Sequence, residues 1–520
     1  MTVFRTAQTI VHTSRELQRR YWPLILLGIV VLPLAFYNLE YYPRPWFDEG
    51  IHLQVPKNLV LYGKYATLND GRFTLFDTAV STGPPALLPI AGVFRLVGVG
   101  LLPARVVMAL FLLATIIAFF SLARTLYGAR VAIVATFLLI SSPSIQLFYW
   151  GRQVMGEGPA LFFFLMGVLF WVQFWRRSNW GLSMGAGLSF GLAMLTKNQY
   201  ALIVPGALVL QALLNHRKLR WKGFIPFAIT TGISVACLAF WYGLQLWSVG
   251  AGSFWRGFAE MSASAGRSIF VGSPYKMIAN LRYLFSPDVF AMWGTPGLAW
   301  VMWLWHTKRE NEPGQTFLIL FTILWLIWFV CGSVGWSRYA FPACVLLALF
   351  VARFFGELTG GCNLSLRDLW FEWRERREGT ALRNDCLWLL LLAVVMYPFS
   401  AEARTILTYK DDSPQRFAHY LDAHVPSDAL IESWEWELDF LTDHRYHHPS
   451  PAVLDAMVNY VYLGGAYPDG IYEPLSNEPD YLIVGPFARW TSLYSPQFIA
   501  RNCTLITSIG EYALYKISTP

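Results

Sequence analysis

The sequence predicts a polytopic α-helical membrane protein of about eleven transmembrane helices, followed by a small C-terminal α/β extracytoplasmic domain. Three observations carry this. Of 520 residues, 55% are hydrophobic and 14% charged, against roughly 25% charged in soluble domains. The apolar residues recur in runs close to the 20 or so needed to cross a bilayer. After residue 401 those runs stop and short strand-like pieces replace them.

The runs lie near 22–38, 103–123, 130–148, 159–175, 180–196, 199–214, 223–247, 287–306, 316–332, 338–355 and 386–401. The first follows a basic N-terminus with no small-residue cleavage site after it, so it reads as an uncleaved helix. A twelfth run, "PPALLPIAGVFRLVGVG", is short and holds Arg95 at its middle, which is costly in hydrocarbon. Flanking charge places it at the interface. With it excluded as a span, 16 of the Lys and Arg from Arg124 to Arg383 fall on the cytoplasmic side and 7 outside, as the positive-inside bias requires. Segment 364–379, "LSLRDLWFEWRERREG", alternates aromatic and basic residues as an inner-leaflet helix would. The predicted division is 1–401 for the transmembrane domain and 402–520 for the outer α/β domain, with strands in "DALIESW", "DYLIVG" and "YALYKI".

Several classes are excluded. The net charge of +7 comes from short basic blocks between apolar runs, so topology explains it and nucleic-acid binding does not. The six cysteines include no CxxC pair, which indicates neither a disulfide framework nor a thiolate metal site. His444, His447 and His448 in "TDHRYHHPS" lack an HExxH or Cys partner and read as a strand–turn surface.

This topology collects charged residues on the outer face. Asp48 and Glu49 follow Trp46 and Phe47 in "PRPWFDEGIHLQ", read as an outer loop. A carboxylate held there suits general-base chemistry on a hydroxyl. Arg152 and Glu157 sit in "YWGRQVMGEGPA", and Lys197 ends an apolar helix in "GLAMLTKNQYAL". Lys197 lies on the side that the positive-inside bias disfavours, so a negative partner is expected. Arg338 and Tyr339 open a helix in "GWSRYAFPACVLL", where a guanidinium can hold a phosphate. The stretch 248–285, with Arg256 and Arg267, reads as a long outer loop that could act as a lid.

Taken in order, the "DE" pair, "TGPPALLPIAGVFRLVGVGLLPAR", "GRQVMGEGPALFFFL", "GLAMLTKNQYALIVPG" and "SRYAFPACVLLAL" resemble the membrane glycosyltransferases of the C-type fold (GT-C). The likeness is to the superfamily of dolichyl-phosphate-mannose protein mannosyltransferases and the bacterial aminoarabinose transferase of lipid A, over about residues 20–355. Members often have His-Pro-Pro where this chain has Gly83-Pro84-Pro85, and Asp where it has Glu157. The resemblance implies an inverting transferase in a plasma membrane. It would move one sugar from a polyprenyl-phosphate donor to an acceptor protein, glycolipid or glycan on the extracytoplasmic face. It implies Asp48 as base with Glu49 beside it, Glu157 positioning the acceptor or a cation, and Lys197, Arg152, Arg338 and Tyr339 at the donor phosphate. A divalent metal ion is left open. An oligosaccharide ligase of the same fold is the alternative. A secondary transporter would instead place its acids at the bilayer midplane, often in two related halves.

Overall fold

A computed structural model describes residues 25, 28–215, 223–286, 290–307, 312–362 and 379–518, without the side chains of 265–268 and 379–385. Segment 364–378, the basic loops 216–222 and 308–311, and the side chain of Arg267 lie outside the described residues.

Residues 28–36 form a first helix, α1. Then come α2 (Phe47–Tyr62), the hairpin β1 (Ala66–Asn69) and β2 (Arg72–Leu75), α3 (Pro84–Val97), α4 (Leu101–Tyr127), α5 (Ala129–Ser141) and α6 (Leu147–Arg152). The helical part continues with α7 (Glu157–Arg177), α8 (Trp180–Thr196), α9 (Asn198–Leu214), α10 (Ile225–Ser268), α11 (Pro274–Leu284), α12 (Phe290–His306), α13 (Pro313–Cys331), α14 (Ser337–Leu358) and α15 (Gly379–Thr408). Among the described residues six helices are long and apolar enough to cross a membrane, and α3, α5, α8 and α9 are shorter apolar helices. Helix α3, the ambiguous run, has 14 residues and so rises about 21 Å, short of the roughly 30 Å hydrocarbon core. Its Arg95 end is exposed beside Leu96 and Val97.

Small residues let the helices approach. Ser183, Gly187 and Gly191 recur every fourth residue of α8 and meet α10. The Ser234 hydroxyl donates to the Gly187 carbonyl at 2.9 Å, and the Ser183 and Thr230 hydroxyls pair at 3.0 Å. A Cβ on Gly187 would lie 2.8 Å from the Thr230 carbonyl oxygen, so this is the small-residue packing usual between membrane helices. A column of rings fills the middle of the bundle, with Phe164 stacked on Phe321 at 4.1 Å and Tyr200 beside Trp325 at 4.8 Å.

Two stretches read as loops are helical. The "DE" pair lies in the first turn of α2, where acids complement the helix dipole. The stretch from 248 is the second half of α10, resumed after Gly250 at φ 75°, followed by α11. Its Ala, Met, Glu and Arg residues have ample helix propensity, and one glycine in the left-handed region supplies the bend without ending the helix.

After α15, the C-terminal unit comprises α16 (Ser413–His424), β3 (Leu430–Ser433), α17 (Trp436–Leu441), β4 (Arg445–His447), α18 (Pro451–Leu463), β5 (Tyr481–Val484), α19 (Pro486–Thr491), α20 (Pro496–Asn502), β6 (Cys503–Ile509) and β7 (Tyr512–Ile517). Its sheet runs β4-β3-β5-β7-β6. The pairs β4–β3 and β3–β5 are parallel, and β5–β7 and β7–β6 antiparallel. The three predicted strands are β3, β5 and β7. Residues alternate between two cores, as the pleat dictates. Leu482 and Val484 join Trp434, Phe487 and, from α2, Phe47 and Ile51. Ile483 packs on the other face with Phe417, Leu421 and Tyr512.

The unit is docked on α2. A Cβ on Gly50 would fall 2.2 Å from the backbone of Trp436 and Glu437, so only glycine allows this approach. The Lys57 ammonium donates to the carbonyls of Asp439, Phe440 and Thr442 at 3.3, 3.4 and 3.0 Å, closing the carbonyl end of α17. The helix that carries Asp48 thus forms part of both the bundle and the C-terminal core.

Candidate active site

The charged residues on this face separate into two groups, and the separation begins at the adjacent acids of α2. Asp48, 23% exposed at its side chain, accepts from Arg338 Nη1 at 2.7 Å through Oδ2. Its Oδ1 has no hydrogen-bond partner among the described residues. Burial pushes the Asp48 carboxyl up, but Arg338, His52 and Lys197 together outweigh it and leave the group below the ordinary carboxylate range. Arg338, at the start of α14, is held between rings, 4.7 Å from Trp336 and 5.9 Å from Tyr339. Tyr339 itself is buried, and its carbonyl accepts from the Trp325 indole at 2.6 Å. It supports Arg338.

Glu157, first residue of α7, pairs with Lys197 at 3.0 Å, each side chain 6% exposed. The Glu157 Oε2 atom is buried without a partner among the described residues. Lys197 occupies the break between α8 and α9 in extended backbone. Two glycines shape its surroundings. A Cβ on Gly156 would lie 2.6 Å from the Lys197 stem, and one on Gly83 would strike the Leu195 carbonyl at 1.7 Å. Gly83 therefore lets the loop before α3 run against the end of α8, where its N–H donates to the Thr196 carbonyl at 3.1 Å.

His52 joins this group, one turn after Asp48 on α2. Its Nδ1 faces the Val154 carbonyl at 2.9 Å, so it carries the proton; Nε2 then accepts from the Ser81 hydroxyl at 3.2 Å. The Lys197 ammonium donates to the same Ser81 oxygen at 3.4 Å. Burial, and then the Lys197 charge, push His52 down to about 4. The imidazole is neutral at physiological pH and orients Ser81 toward Lys197. Two carboxylates, two cations and a neutral histidine thus form one charge-balanced group built from the ends of α2, α7, α8 and α14.

Glu49 belongs elsewhere. Its carboxylate, 1% exposed, takes Arg105 bidentately, Nε to Oε1 at 2.9 Å and Nη2 to Oε2 at 2.5 Å. Oε1 also accepts from the Val154 N–H at 3.0 Å. Arg105 donates further to the Leu39 carbonyl at 2.7 Å. Glu49 and His52, three residues apart on α2, hold the backbone of Val154, one by its N–H and the other by its carbonyl. Both carboxylate oxygens of Glu49 are engaged by Arg105 and Val154, apart from the pair of Asp48 with Arg338.

Arg152 is also displaced from the expected set. It is fully buried and donates to the Leu34 and Tyr37 carbonyls at 3.2 and 2.5 Å, with its guanidinium 5.5 Å from the Tyr42 ring. Those carbonyls lie in the last turn of α1 and just past its end, where the helix supplies no N–H partner. Arg152 is a C-terminal cap for α1 and is not placed at the cluster. Arg256 stands exposed on the second half of α10 and pairs with none of the cluster.

The expected residues brought together are Asp48, Arg338, Glu157 and Lys197. Sequence reading missed His52, Ser81 and Arg105. The spacing of Asp48 and His52 would have revealed the histidine, had residues 47–62 been read as a helix. Arg105 was hidden inside a run read as a span. The histidines of "TDHRYHHPS" each meet an acid: His447 with Glu432 at 2.6 Å, His448 with Asp439 at 2.9 Å and His444 with Asp422 at 3.4 Å.

A cleft of about 910 Å³ opens next to this face, between the β1–β2 hairpin, the second half of α10 and the C-terminal unit. Phe47 and Ile51, which flank Asp48 along α2, form part of its wall.

Comparison with known proteins agrees with this architecture. Residues 82–242 match the family of dolichyl-phosphate-mannose-protein mannosyltransferases. An uncharacterized protein of Aquifex aeolicus (strain VF5) is 25% identical over 350 residues, 66% of this chain and 67% of its own length. The structure is similar to ArnT from Cupriavidus metallidurans bound to undecaprenyl phosphate, with a TM-score of 0.65 and 13% identity over 95% of this chain and 98% of that one. It is also similar to the archaeal oligosaccharyltransferase AglB from Archaeoglobus fulgidus, in complex with an inhibitory peptide and a dolichol-phosphate. There the TM-score is 0.59 and the identity 12%, over 96% of this chain and 75% of that one. The chain is an integral membrane protein with the GT-C glycosyltransferase fold.

Proposed function

We propose that this protein is an inverting glycosyltransferase that moves a single sugar from a polyprenyl-phosphate-sugar donor to an acceptor hydroxyl or similar group on the extracytoplasmic face. The observation that carries the reading is the cluster itself. Asp48, ionised and with Oδ1 unpartnered among the described residues, stands beside two cations, Arg338 and Lys197, at the helix ends where the bundle meets the C-terminal unit. The polyprenyl lipids bound to the two similar structures, undecaprenyl phosphate and dolichol-phosphate, support a lipid-linked donor.

In this reading the acceptor O–H docks on Asp48 Oδ1. Its oxygen attacks the anomeric carbon as the bond from that carbon to the phosphate oxygen breaks, and the proton passes to Asp48. The electron pair leaves with polyprenyl phosphate, whose charge Lys197 and Arg338 stabilise as preorganised cations. Arg338 faces both Asp48 and the phosphate, so it holds the base ionised until the leaving group arrives. Glu157 fixes Lys197, and Glu49 is a positioning residue, acting through Arg105 and Val154 on the orientation of α2. Among the described residues no group of three or more His, Cys, Asp or Glu is placed to hold a metal ion. Asp48 Oδ1 and the buried Glu157 Oε2 are nonetheless hard oxygen donors of the kind a divalent cation takes, and bound there it would supply further charge at the phosphate.

The test uses purified protein in detergent with radiolabelled polyprenyl-phosphate mannose, glucose and pentose, and an envelope extract as acceptor. Wild type is expected to transfer label. Asp48→Asn, with folding checked by gel filtration, is expected to lose about 10²–10⁴-fold. Full transfer by folded Asp48→Asn would refute the assignment of the base.

A further inference from the structure

The cleft beside the cluster has a polar wall that the transfer chemistry leaves unused. Glu432, fully buried on β3, receives three donors: the Tyr472 hydroxyl, the Tyr494 hydroxyl at 2.7 Å and His447 Nδ1 at 2.6 Å. A buried carboxylate is costly unless it is satisfied in this way, and here the satisfaction fixes one ring. With Nδ1 held by Glu432, His447 Nε2 faces the Asn477 amide at 2.8 Å, at the exposed rim. His447, Tyr472 and Asn477 all line the cleft, together with the partly exposed rings of Phe73 and Phe76.

We propose that this cleft is the acceptor site and that the acceptor it takes is a carbohydrate. The inference rests on the transferase reading for the word acceptor, and on the cleft alone for the carbohydrate. At about 910 Å³ it lies at the upper end of the roughly 300–1,000 Å³ of small-ligand sites. Its wall joins aromatic rings with planar groups that both donate and accept. That is the combination a sugar presents in reverse, with C–H faces for the rings and hydroxyls for the Asn477 amide, which His447 Nε2 holds in place. The two charged residues of the α10 wall, Arg256 and Glu260, are one turn apart and of opposite sign, so the wall does not select an anion.

One edge open to strand addition is closed. The sheet of the C-terminal unit ends at β4 and at β6, and the turn of the hairpin occupies β4. The Asp70 N–H donates to the Tyr446 carbonyl at 2.7 Å, and the Asn69 side chain makes paired bonds with the His448 backbone at 3.0 and 2.9 Å. The cleft reaches α2 at Phe47 and Ile51, the helix that carries Asp48.

The experiment measures binding without transfer. Fluorescently labelled full-length protein in detergent is titrated with gluco-, manno-, arabino- and N-acetylglucosamine oligosaccharides, with a random 15-residue peptide library, and separately with undecaprenyl phosphate. Wild type is expected to bind at least one oligosaccharide class. His447→Gln and Asn477→Ala are each expected to weaken that binding tenfold or more while leaving undecaprenyl phosphate binding unchanged. Glu432→Gln is expected to move the pH dependence of glycan binding to lower pH, because the Glu432 hydrogen bond raises the His447 titration. A merely structural contribution would not move it. Binding of peptides alone, of no oligosaccharide, or of oligosaccharides equally by wild type and both rim variants overturns the proposal. Loss of undecaprenyl phosphate binding in wild type would instead sink the transferase reading, and glycan binding would then stand by itself.

Discussion

Removing the carboxylate of Glu49 separates its structural role from the catalytic role its neighbour holds. In Glu49→Gln the guanidinium of Arg105, buried to 0% exposure, keeps one neutral acceptor and loses its counter-charge. Breaking a buried pair by removing one partner costs about 3–5 kcal/mol, a large share of the roughly 5–15 kcal/mol that holds a domain folded. The loss falls at a point where α2, α4, the end of α1 and the Val154 peptide meet. Glu49→Gln is therefore expected to lower the unfolding temperature in detergent by several degrees and to reduce transfer in proportion to folded protein. Adding Arg105→Met removes the stranded charge, while the introduced amide can still accept from the Val154 N–H. Replacing a buried pair with apolar volume is often neutral, so the double variant is expected to recover most of the thermal stability and most of the transfer. The assays are thermal unfolding followed by tryptophan fluorescence, and sugar transfer per folded molecule. A double variant that is stable yet as inactive as Asp48→Asn would refute the reasoning and return Glu49 to the chemistry.

Three further outcomes follow from the geometry. In Arg338→Gln the carboxylate of Asp48 loses the main cation that lowers it, so the acidic limb of the transfer profile is expected to move to higher pH; an unmoved limb would show that Arg338 does not act on the base. His52, pushed down to about 4 by burial and Lys197, binds its proton more readily when unfolded, so its contribution to stability is full above about pH 6.5. It is lost as pH falls from there toward 4; His52→Gln is expected to flatten the stability curve in that window. Gly50→Ala places a methyl 2.2 Å from the backbone of α17, where no side chain can yield. Overpacking of about 1–3 kcal/mol or more is expected to loosen the C-terminal unit from α2 and raise its rate of proteolysis, and unchanged cleavage would contradict the packing.

Much of the architecture was legible because it rests on local chemistry. A run such as 103–123 needs no partner to declare itself helical, since hydrocarbon leaves the backbone no other way to satisfy its N–H and C=O groups. The strands β3, β5 and β7 showed as apolar stretches bounded by turn residues. The hairpin was legible and passed over: "NDG" between alternating residues is a strong hairpin signal, and Asp70 and Gly71 take φ of 45° and 71° there. Asp48, Glu157, Lys197 and Arg338 could be gathered from topology, since all stand at helix ends on one side.

What the tertiary structure alone decided is which charge meets which. Asp48 and Glu49 are indistinguishable as neighbours in a chain. On a helix, adjacent residues point about 100° apart, so one carboxylate turns to Arg338 and the other into the bundle toward Arg105. Arg152 looked like a phosphate ligand until the carbonyls ending α1 were found beneath it. The pairing of His447 with Glu432 depends on a parallel register between strands separated by a helix. The sequence by itself determined the membrane helices, the C-terminal sheet and the face that holds the acids, because hydropathy and period act on each segment alone. Ion pairs form between segments as far apart as Asp48 and Arg338, and only packing brings those charges within reach.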